Sequence, residues 1–426
     1  MTVVAVRPLA APPDVTVAVP GSKSITNRAL VVAALAAGRS ELTGVLFSDD
    51  TEAMLTSLQG LGLAAEADPA AATVTVDGWD GLVPPGPPAG VTTVDVRQAG
   101  TAARFLPPLL ALGLGHYVVD GAPQMRGRPM AGLVGALRDL GVDVLGDGLP
   151  LEIVASGAVA GGPVTVPAGT SSQFLSGLLL SAPYFRHGLQ VHAEGHAVSR
   201  PYVAMTAATM AAFGVDVEVG DGGRRFTVRP GQRYRGARYA VEPDASAASY
   251  FLAAAAITGG RVRVEGLGRR SVQGDLRFVD VLARMGAAVK KEDGYTEVVG
   301  GPLHGVEVDL ADFSDTAPTL AVTAAFATTP TRIGGIGFIR AKESDRIGNV
   351  VAELRRCGIH AEEEPDGMVV HPGAPKPAVV QTYDDHRMAM AFSLLGLVAD
   401  GIVIAGPDCV RKTFPDFFAT LDRLRS

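Results

Sequence analysis

The chain has 426 residues and a net charge of −7, from 37 Lys and Arg against 44 Asp and Glu. Its length suits roughly two or three domains, and the 47% hydrophobic content excludes a wholly disordered chain. The longest apolar run, residues 29–37, is far short of the ~20 needed to cross a bilayer, and the acidic balance argues against bulk nucleic-acid binding.

Two strands are expected first, over 2–6 and 15–19, with none of the basic and apolar regions of a secretory signal. Cys357 and Cys409 are too few for a disulfide framework, so a reducing cytoplasm is the expected location. A helical run follows Pro20-Gly21-Ser22-Lys23. From there one phrase recurs five times: an amphipathic stretch, a glycine, a short strand, a polar turn and a second strand. The glycines are Gly62, Gly141, Gly214, Gly286 and Gly358, at spacings of 79, 73, 72 and 72. Each reads as the residue just past a helix C-terminus, where positive φ costs a glycine least. The alternating Val-Asp-Val at 142–144 and 215–217 reads as half-buried strand. A sixth helix, 414–421, has no strands after it, so the N-terminal strands are expected to complete the sixth unit. Six units make two three-unit domains, 21–238 and 1–20 plus 239–426, with the crossing at the Arg- and Tyr-rich segment 233–239. A linear solenoid is disfavoured, because the period exceeds the usual ~20–50 residues.

Rare basic and small polar residues cluster at the helix starts. Gly21-Ser22-Lys23-Ser24-Ile25-Thr26-Asn27-Arg28 leaves backbone N–H groups open to an anion and adds two cations, although an ordinary capped helix fits it too. The spacing of an ATP-binding P-loop is absent. Ala99-Gly100-Thr101-Ala102-Ala103-Arg104 is a glycine-led start at which Arg104 could reach a carboxylate or phosphate bidentately. Two guanidiniums, Arg126 and Arg128, precede another helix. Thr170-Ser171-Ser172-Gln173 reads equally as a redundant cap or a hydrogen-bonding site for a polyol, and Ser199-Arg200-Pro201-Tyr202 repeats the theme. Further on, acids join the bases in Asp312-Phe313-Ser314-Asp315, Arg340-Ala341-Lys342-Glu343-Ser344-Asp345-Arg346, Asp384-Asp385-His386-Arg387 and Arg411-Lys412. His192 and His196 have strand-face spacing for a metal, but no further ligands complete the set. Cys357 reads as core, while Cys409, near Arg411 and Lys412, is a secondary candidate nucleophile.

Six ordered segments carry a resemblance over essentially the whole chain: 21–28, 99–104, Ser171-Ser172-Gln173-Phe174-Leu175, 342–346, Asp385-His386-Arg387-Met388-Ala389-Met390 and Lys412-Thr413-Phe414-Pro415-Asp416. The chain resembles the bacterial 5-enolpyruvylshikimate-3-phosphate synthases. The resemblance implies an α/β fold of two inverse α/β domains, each built from three βαβαββ units, closing on ligand around an interdomain cleft. It implies enolpyruvyl transfer from phosphoenolpyruvate to the 5-hydroxyl of shikimate-3-phosphate, by addition and elimination through a tetrahedral intermediate, with no metal or organic cofactor. Carried over by motif, Lys23, Ser24, Arg28, Ser171, Ser172, Gln173, Ser199 and Tyr202 contact shikimate-3-phosphate. Lys23, Gly100, Arg128, Gln173, Arg346, Arg387 and Lys412 cradle phosphoenolpyruvate. Asp315 with Lys342 serves the reacting hydroxyl, Glu343 protonates and then deprotonates the donor's methylene carbon, and Lys23 is counted among the catalytic groups.

Phe338 stands where several relatives carry a polar residue, and Ala103 and Phe105 replace commoner Met and Pro. Gly100 offers no methyl to crowd the donor, so inhibition by glyphosate is expected. A monomer with no nucleic-acid or membrane partner is expected as well. The nearest rival, a UDP-N-acetylglucosamine enolpyruvyl transferase, would carry Lys-Asn where this chain has Lys23-Ser24, and often a cysteine within 113–130, where there is none. A non-enzymatic sugar-phosphate sensor would be expected to lose some of Asp315, Lys342, Glu343 and Lys412, all of which are present. RNA-cyclase relatives of the repeat would want a basic surface.

Overall fold

The structure, a computed structural model, describes residues 2–87, 90–195 and 198–425. It divides into two compact units, residues 21–241 and residues 1–20 with 242–426. The first unit runs past the expected end at 238 because Arg238–Ala240 is a strand paired in parallel with Ala37–Thr43. That pairing keeps it with the first unit.

The repeat is the structural unit. In the second copy Val91–Asp95 pairs in parallel with Leu114–Asp120, which pairs antiparallel with Leu151–Ser156 and through it with Asp143–Leu145. One helix, Gly100–Leu110, links the parallel strands, and another, Ala131–Asp139, leads into the hairpin. The same four-strand order recurs in the third and fifth copies. All five repeat glycines take positive φ, between 78° and 118°, so a β-carbon at any of them would strain the helix-to-strand turn.

The first and fourth copies borrow their parallel edge strand from a distant part of the chain. The first uses Arg238–Ala240. The fourth uses the N-terminal strand Asp14–Val17, paired in parallel with Arg261–Glu265. Only Val3–Val6 joins the sixth sheet, antiparallel to Ile402–Ala405. The two N-terminal strands therefore do not both complete the sixth unit as expected. The turn between them carries the chain from the sixth sheet to the fourth.

One helix of each copy is buried on every side, as its Ala- and Leu-rich composition requires. In residues 21–241 these are Lys23–Leu35, Gly100–Leu110 and Ser172–Ser181. In the other unit they are Ala245–Thr258, Ala317–Ala324 and His386–Gly396. Each trio packs together as the centre of its unit, and the motifs at 21–28, 99–104, 171–175, 312–315 and 384–387 lie at the N-terminal starts of five of these helices.

Candidate active site

In the unit of residues 21–241, Lys23 is the first helical residue, and its Nζ lies 3.4 Å from Oδ2 of the buried Asp50. Arg28 is 1% exposed. It donates from Nε to Thr206 Oγ1 at 2.8 Å, from Nη1 to the Ser24 carbonyl at 2.8 Å, and from Nη2 to the Tyr202 carbonyl at 3.1 Å and Ser176 Oγ at 3.3 Å. Its guanidinium also covers the Phe105 ring, 5.1 Å from the centroid. Burial lowers its pKa to about 10, still a cation at neutral pH. Arg28 thus fastens three helix starts together, including those carrying Ser24 and Tyr202.

Ser171 caps the helix Ser172–Ser181 by accepting from the Gln173 amide at 3.2 Å. Ser199 opens the helix Arg200–Ala212 in the left-handed region, with φ 55° and ψ 36°. Four of the seven non-glycine residues with positive φ among the described residues (Arg97, Ser199, Tyr383 and Asp384) lie within three residues before a motif-bearing helix start. Strain of this kind costs roughly 1–3 kcal/mol per residue and concentrates at functional sites.

At Gly100 an added Cβ would stand 2.6 Å from Nη1 of Arg128, so the missing side chain is what lets that guanidinium lie over the turn. Arg104 braces this turn. It is buried and donates to the Gly100 carbonyl at 3.2 Å and the Pro129 carbonyl at 2.6 Å, fixing the Gly100 turn to the Arg128 loop. Arg126 points elsewhere, in a bidentate pair with Asp120 at 2.9 and 2.7 Å.

The unit containing residues 242–426 gathers a denser cluster. Arg346, 2% exposed in its side chain, donates to Asp385 Oδ2 at 2.8 Å, Glu343 Oε2 at 2.7 Å and Asp315 Oδ1 at 3.1 Å. Arg387 donates to Asp315 Oδ2 at 2.5 Å and to the Tyr250 hydroxyl at 3.4 Å. Lys412 Nζ lies 3.9 Å from Glu343 Oε1. Burial pulls the Arg346 pKa down, but Asp385, Glu343 and Asp315 outweigh it and hold the value above the ordinary one. Three cations from three chain segments thus interleave with three carboxylates. Asp385 also caps its helix through the Arg387 amide at 2.9 Å, which anchors the network to a rigid element.

Asp315 pairs with Arg346 and Arg387, and the Lys342 ammonium lies 5.7 Å from the centroid of the Phe338 ring. Phe338 therefore supplies a cation–π contact in place of a polar side chain. Burial drives the Cys409 thiol up to about 12, so it is no thiolate nucleophile at neutral pH. Cys357 is buried, as expected of a core residue. Of the histidine pair, His192 lies in the strand Leu189–Glu194 and His196 falls outside the described residues.

Sequence reasoning missed Asp50, which looks like any acid in the first turn of a helix, and Thr206 and Ser176, which look like helix-face polar residues. It also missed Asp275, which is buried and accepts from the Ser246 hydroxyl. Burial first, then the charge of Asp315, raises Asp275 to about 7, with Arg387 opposing. A lone Asp in Gln273-Gly274-Asp275 gives no signal of that setting.

The sequence profile of the EPSP synthase (3-phosphoshikimate 1-carboxyvinyltransferase) family matches residues 11–421. A 3-phosphoshikimate 1-carboxyvinyltransferase of Trichormus variabilis is 47% identical over 423 residues, covering 98% of each chain. Its counterpart in Serratia proteamaculans is 45% identical over 415 residues, 96% of each. The solved EPSP synthase of Acinetobacter baumannii has a TM-score of 0.85 at 26% identity, over 100% of this chain and 98% of that one. Profile and relatives both span nearly the full length and agree with the two-unit α/β fold: the chain belongs to the EPSP synthase family.

Proposed function

We propose that this chain transfers the enolpyruvyl group of phosphoenolpyruvate to the 5-hydroxyl of shikimate-3-phosphate and releases phosphate. The observation that carries the reading is the interleaved cluster of Arg346, Arg387 and Lys412 with Asp315, Glu343 and Asp385. Phosphate and carboxylate ligands suit guanidinium forks better than any neutral substrate does. An acidic chain can hold such anions only where cations converge.

Phosphoenolpyruvate is assigned to Arg346, Arg387 and Lys412, with Lys23, Gly100, Arg128 and Gln173. Shikimate-3-phosphate is assigned to Lys23, Ser24, Ser171, Ser172, Gln173, Ser199 and Tyr202, with Asp315 and Lys342. Arg28 adds positive charge and orients Ser24 and Tyr202 through its bonds to their carbonyls. Asp315 and Glu343 hold the same cationic groups that a donor phosphate and carboxylate would take, so donor binding makes them exchange partners. We assign Asp315 to accept the proton of the 5-hydroxyl as the hydroxyl oxygen attacks C2 of the donor, while Glu343, which takes up a proton when the bound donor's charge displaces its cationic partners, delivers it to C3, forming the tetrahedral adduct. Elimination reverses the second transfer: Glu343 recovers a proton from C3 as the C2–O bond to phosphate breaks, and the proton held by Asp315 leaves with the phosphate. Cationic partners stabilise the phosphate as it leaves.

Phosphate release measured with phosphoenolpyruvate and either shikimate-3-phosphate or UDP-N-acetylglucosamine as acceptor tests the reading. Turnover with the first alone, inhibited by glyphosate competing with the donor, is the expected result. Turnover with the second would make the chain the rival transferase. No turnover with either, despite binding of shikimate-3-phosphate, would favour the sensor.

A further inference from the structure

A second ligand set lies on the hairpin of the fifth sheet, between the chain segments that carry Arg346 and Arg387. The strands Ala361–Glu364 and Gly367–Val370 pair antiparallel, with Ala361 opposite Val370. The ladder extends one step further, since the His371 amide donates to the His360 carbonyl at 2.9 Å. His360 and His371 therefore face each other across the strands, and Glu362, two residues along from His360, shares their face. The imidazole rings lie 4.4 Å apart between centroids, at 31°. Oε1 of Glu362 is 2.8 Å from Nε2 of His371 and 3.9 Å from Nε2 of His360. One donor atom from each residue falls within 4.8 Å of the others, the one such group of three among the described residues.

The neighbouring charges are already engaged. Glu364 pairs with Arg332 at 3.0 Å and Glu363 with Arg340 at 2.7 Å, which leaves Glu362 with the two histidines as its ion-pair partners among the described residues. Two imidazole nitrogens and one carboxylate oxygen form a borderline donor set that suits Zn²⁺, Ni²⁺ or Cu²⁺, and not Mg²⁺ or Ca²⁺, which want all-oxygen shells. The side chains are partly exposed, from 32% for His371 to 65% for His360. Small rotations can therefore draw the donors in to the ~2.0–2.2 Å of a zinc site, with water in the remaining position.

We infer that His360, Glu362 and His371 form a divalent transition-metal site that clasps the ends of this hairpin, separate from the reaction. The test uses the tag-free full chain and Zn²⁺ competed against a chromophoric chelator, with His371→Ala and Glu362→Gln beside the parent. One equivalent of zinc is expected in the parent, with affinity falling roughly tenfold or more in each variant, since even outer-shell losses at metal sites cost 10–100-fold. Zinc should raise the melting temperature of the parent and do so much less in the variants. Turnover without added metal should be equal in all three, which separates this site from the enzymatic reading. Zinc bound by the variants with the parent's stoichiometry and affinity, or none bound by the parent in excess zinc, would overturn the inference. The thiols of buried Cys357 and half-buried Cys409, both raised to about 12, are poor competitors for the metal.

Discussion

Glu343 sits between Arg346 at 2.7 Å and Lys412 at 3.9 Å, where an isosteric amide can keep the packing and lose only the titrating oxygen. Glu343→Gln is expected to lower kcat by about 10²-fold or more, the usual worth of a positioned acid–base, with both KM values near those of the parent. Near-normal turnover would remove Glu343 from proton transfer. Gly100 makes a steric prediction instead. An Ala there meets Arg128 at 2.6 Å, and the guanidinium, as the far end of a flexible side chain, must yield. Gly100→Ala should raise the donor KM by about tenfold, equivalent to ~1.4 kcal/mol, and leave the acceptor KM unchanged. An effect on the acceptor instead would place the Gly100 turn elsewhere. Asp275 makes a prediction about stability. Its carboxyl titrates at about 7 in the fold against an ordinary 3.8, so below pH 3.8 both states hold the proton. Between the two values the unfolded chain releases a proton that the native state keeps, and stability falls as pH rises, by at most about 1.4 kcal/mol per unit. Asp275→Asn should flatten that decline in melting temperature between pH 4 and 7. Parallel curves for parent and variant would show that Asp275 ionises freely.

At the scale of elements, three of the motif-bearing starts, those of Gly100–Leu110, Arg200–Ala212 and His386–Gly396, follow within three residues of a non-glycine residue held at positive φ. Ser199 is the cleanest case, a caged non-glycine at φ 55°. A left-handed L-residue costs roughly 1–2 kcal/mol, so Ser199→Gly should stabilise the fold by about 0.5–1 kcal/mol after the glycine's own entropy is set against it. The same change deletes the hydroxyl and should raise the KM for shikimate-3-phosphate. Chemical denaturation and initial rates read the two effects separately, and a less stable variant would mean the strain is not at Ser199. What the sequence shows at this scale follows from what each residue type can report. The repeat glycines were legible because positive φ selects glycine, and the basic motifs because Lys and Arg are rare in buried helix starts. Burial was not: Arg28 and Arg104 look like surface cations in a motif, yet both lie inside and bond to backbone carbonyls. Strand partners were hidden too, because alternation marks a strand without naming its neighbour. Nothing in Asp14–Val17 distinguishes the sixth sheet from the fourth.

Across the whole molecule, the most consequential of those pairings ties the chain's start to its last two hundred residues. Val3–Val6 lines one edge of the sheet centred on Ile402–Ala405, and Asp14–Val17 completes the sheet of Arg261–Glu265. Val6 and Val17 are 5% and 2% exposed, each worth roughly 1.5–3 kcal/mol of burial. Arg261 pairs with Asp14, and the Leu9 amide donates to the Leu397 carbonyl at 2.9 Å. Removing residues 2–18 therefore strips two sheets of an edge strand and opens apolar surface in the unit that holds Asp315, Glu343, Arg346, Arg387 and Lys412. The other unit takes no strand from this segment, its first sheet being completed by Arg238–Ala240. A total loss larger than the ~5–15 kcal/mol that holds a typical domain folded is not required, since a few kcal/mol already populate local opening. In the truncated chain, amide exchange should accelerate throughout 242–426 while 21–241 keeps its protection, and turnover should be lost with it. Equal acceleration in both units would mean that they unfold as one, and unchanged exchange would mean that the borrowed strands are not what holds the second unit closed.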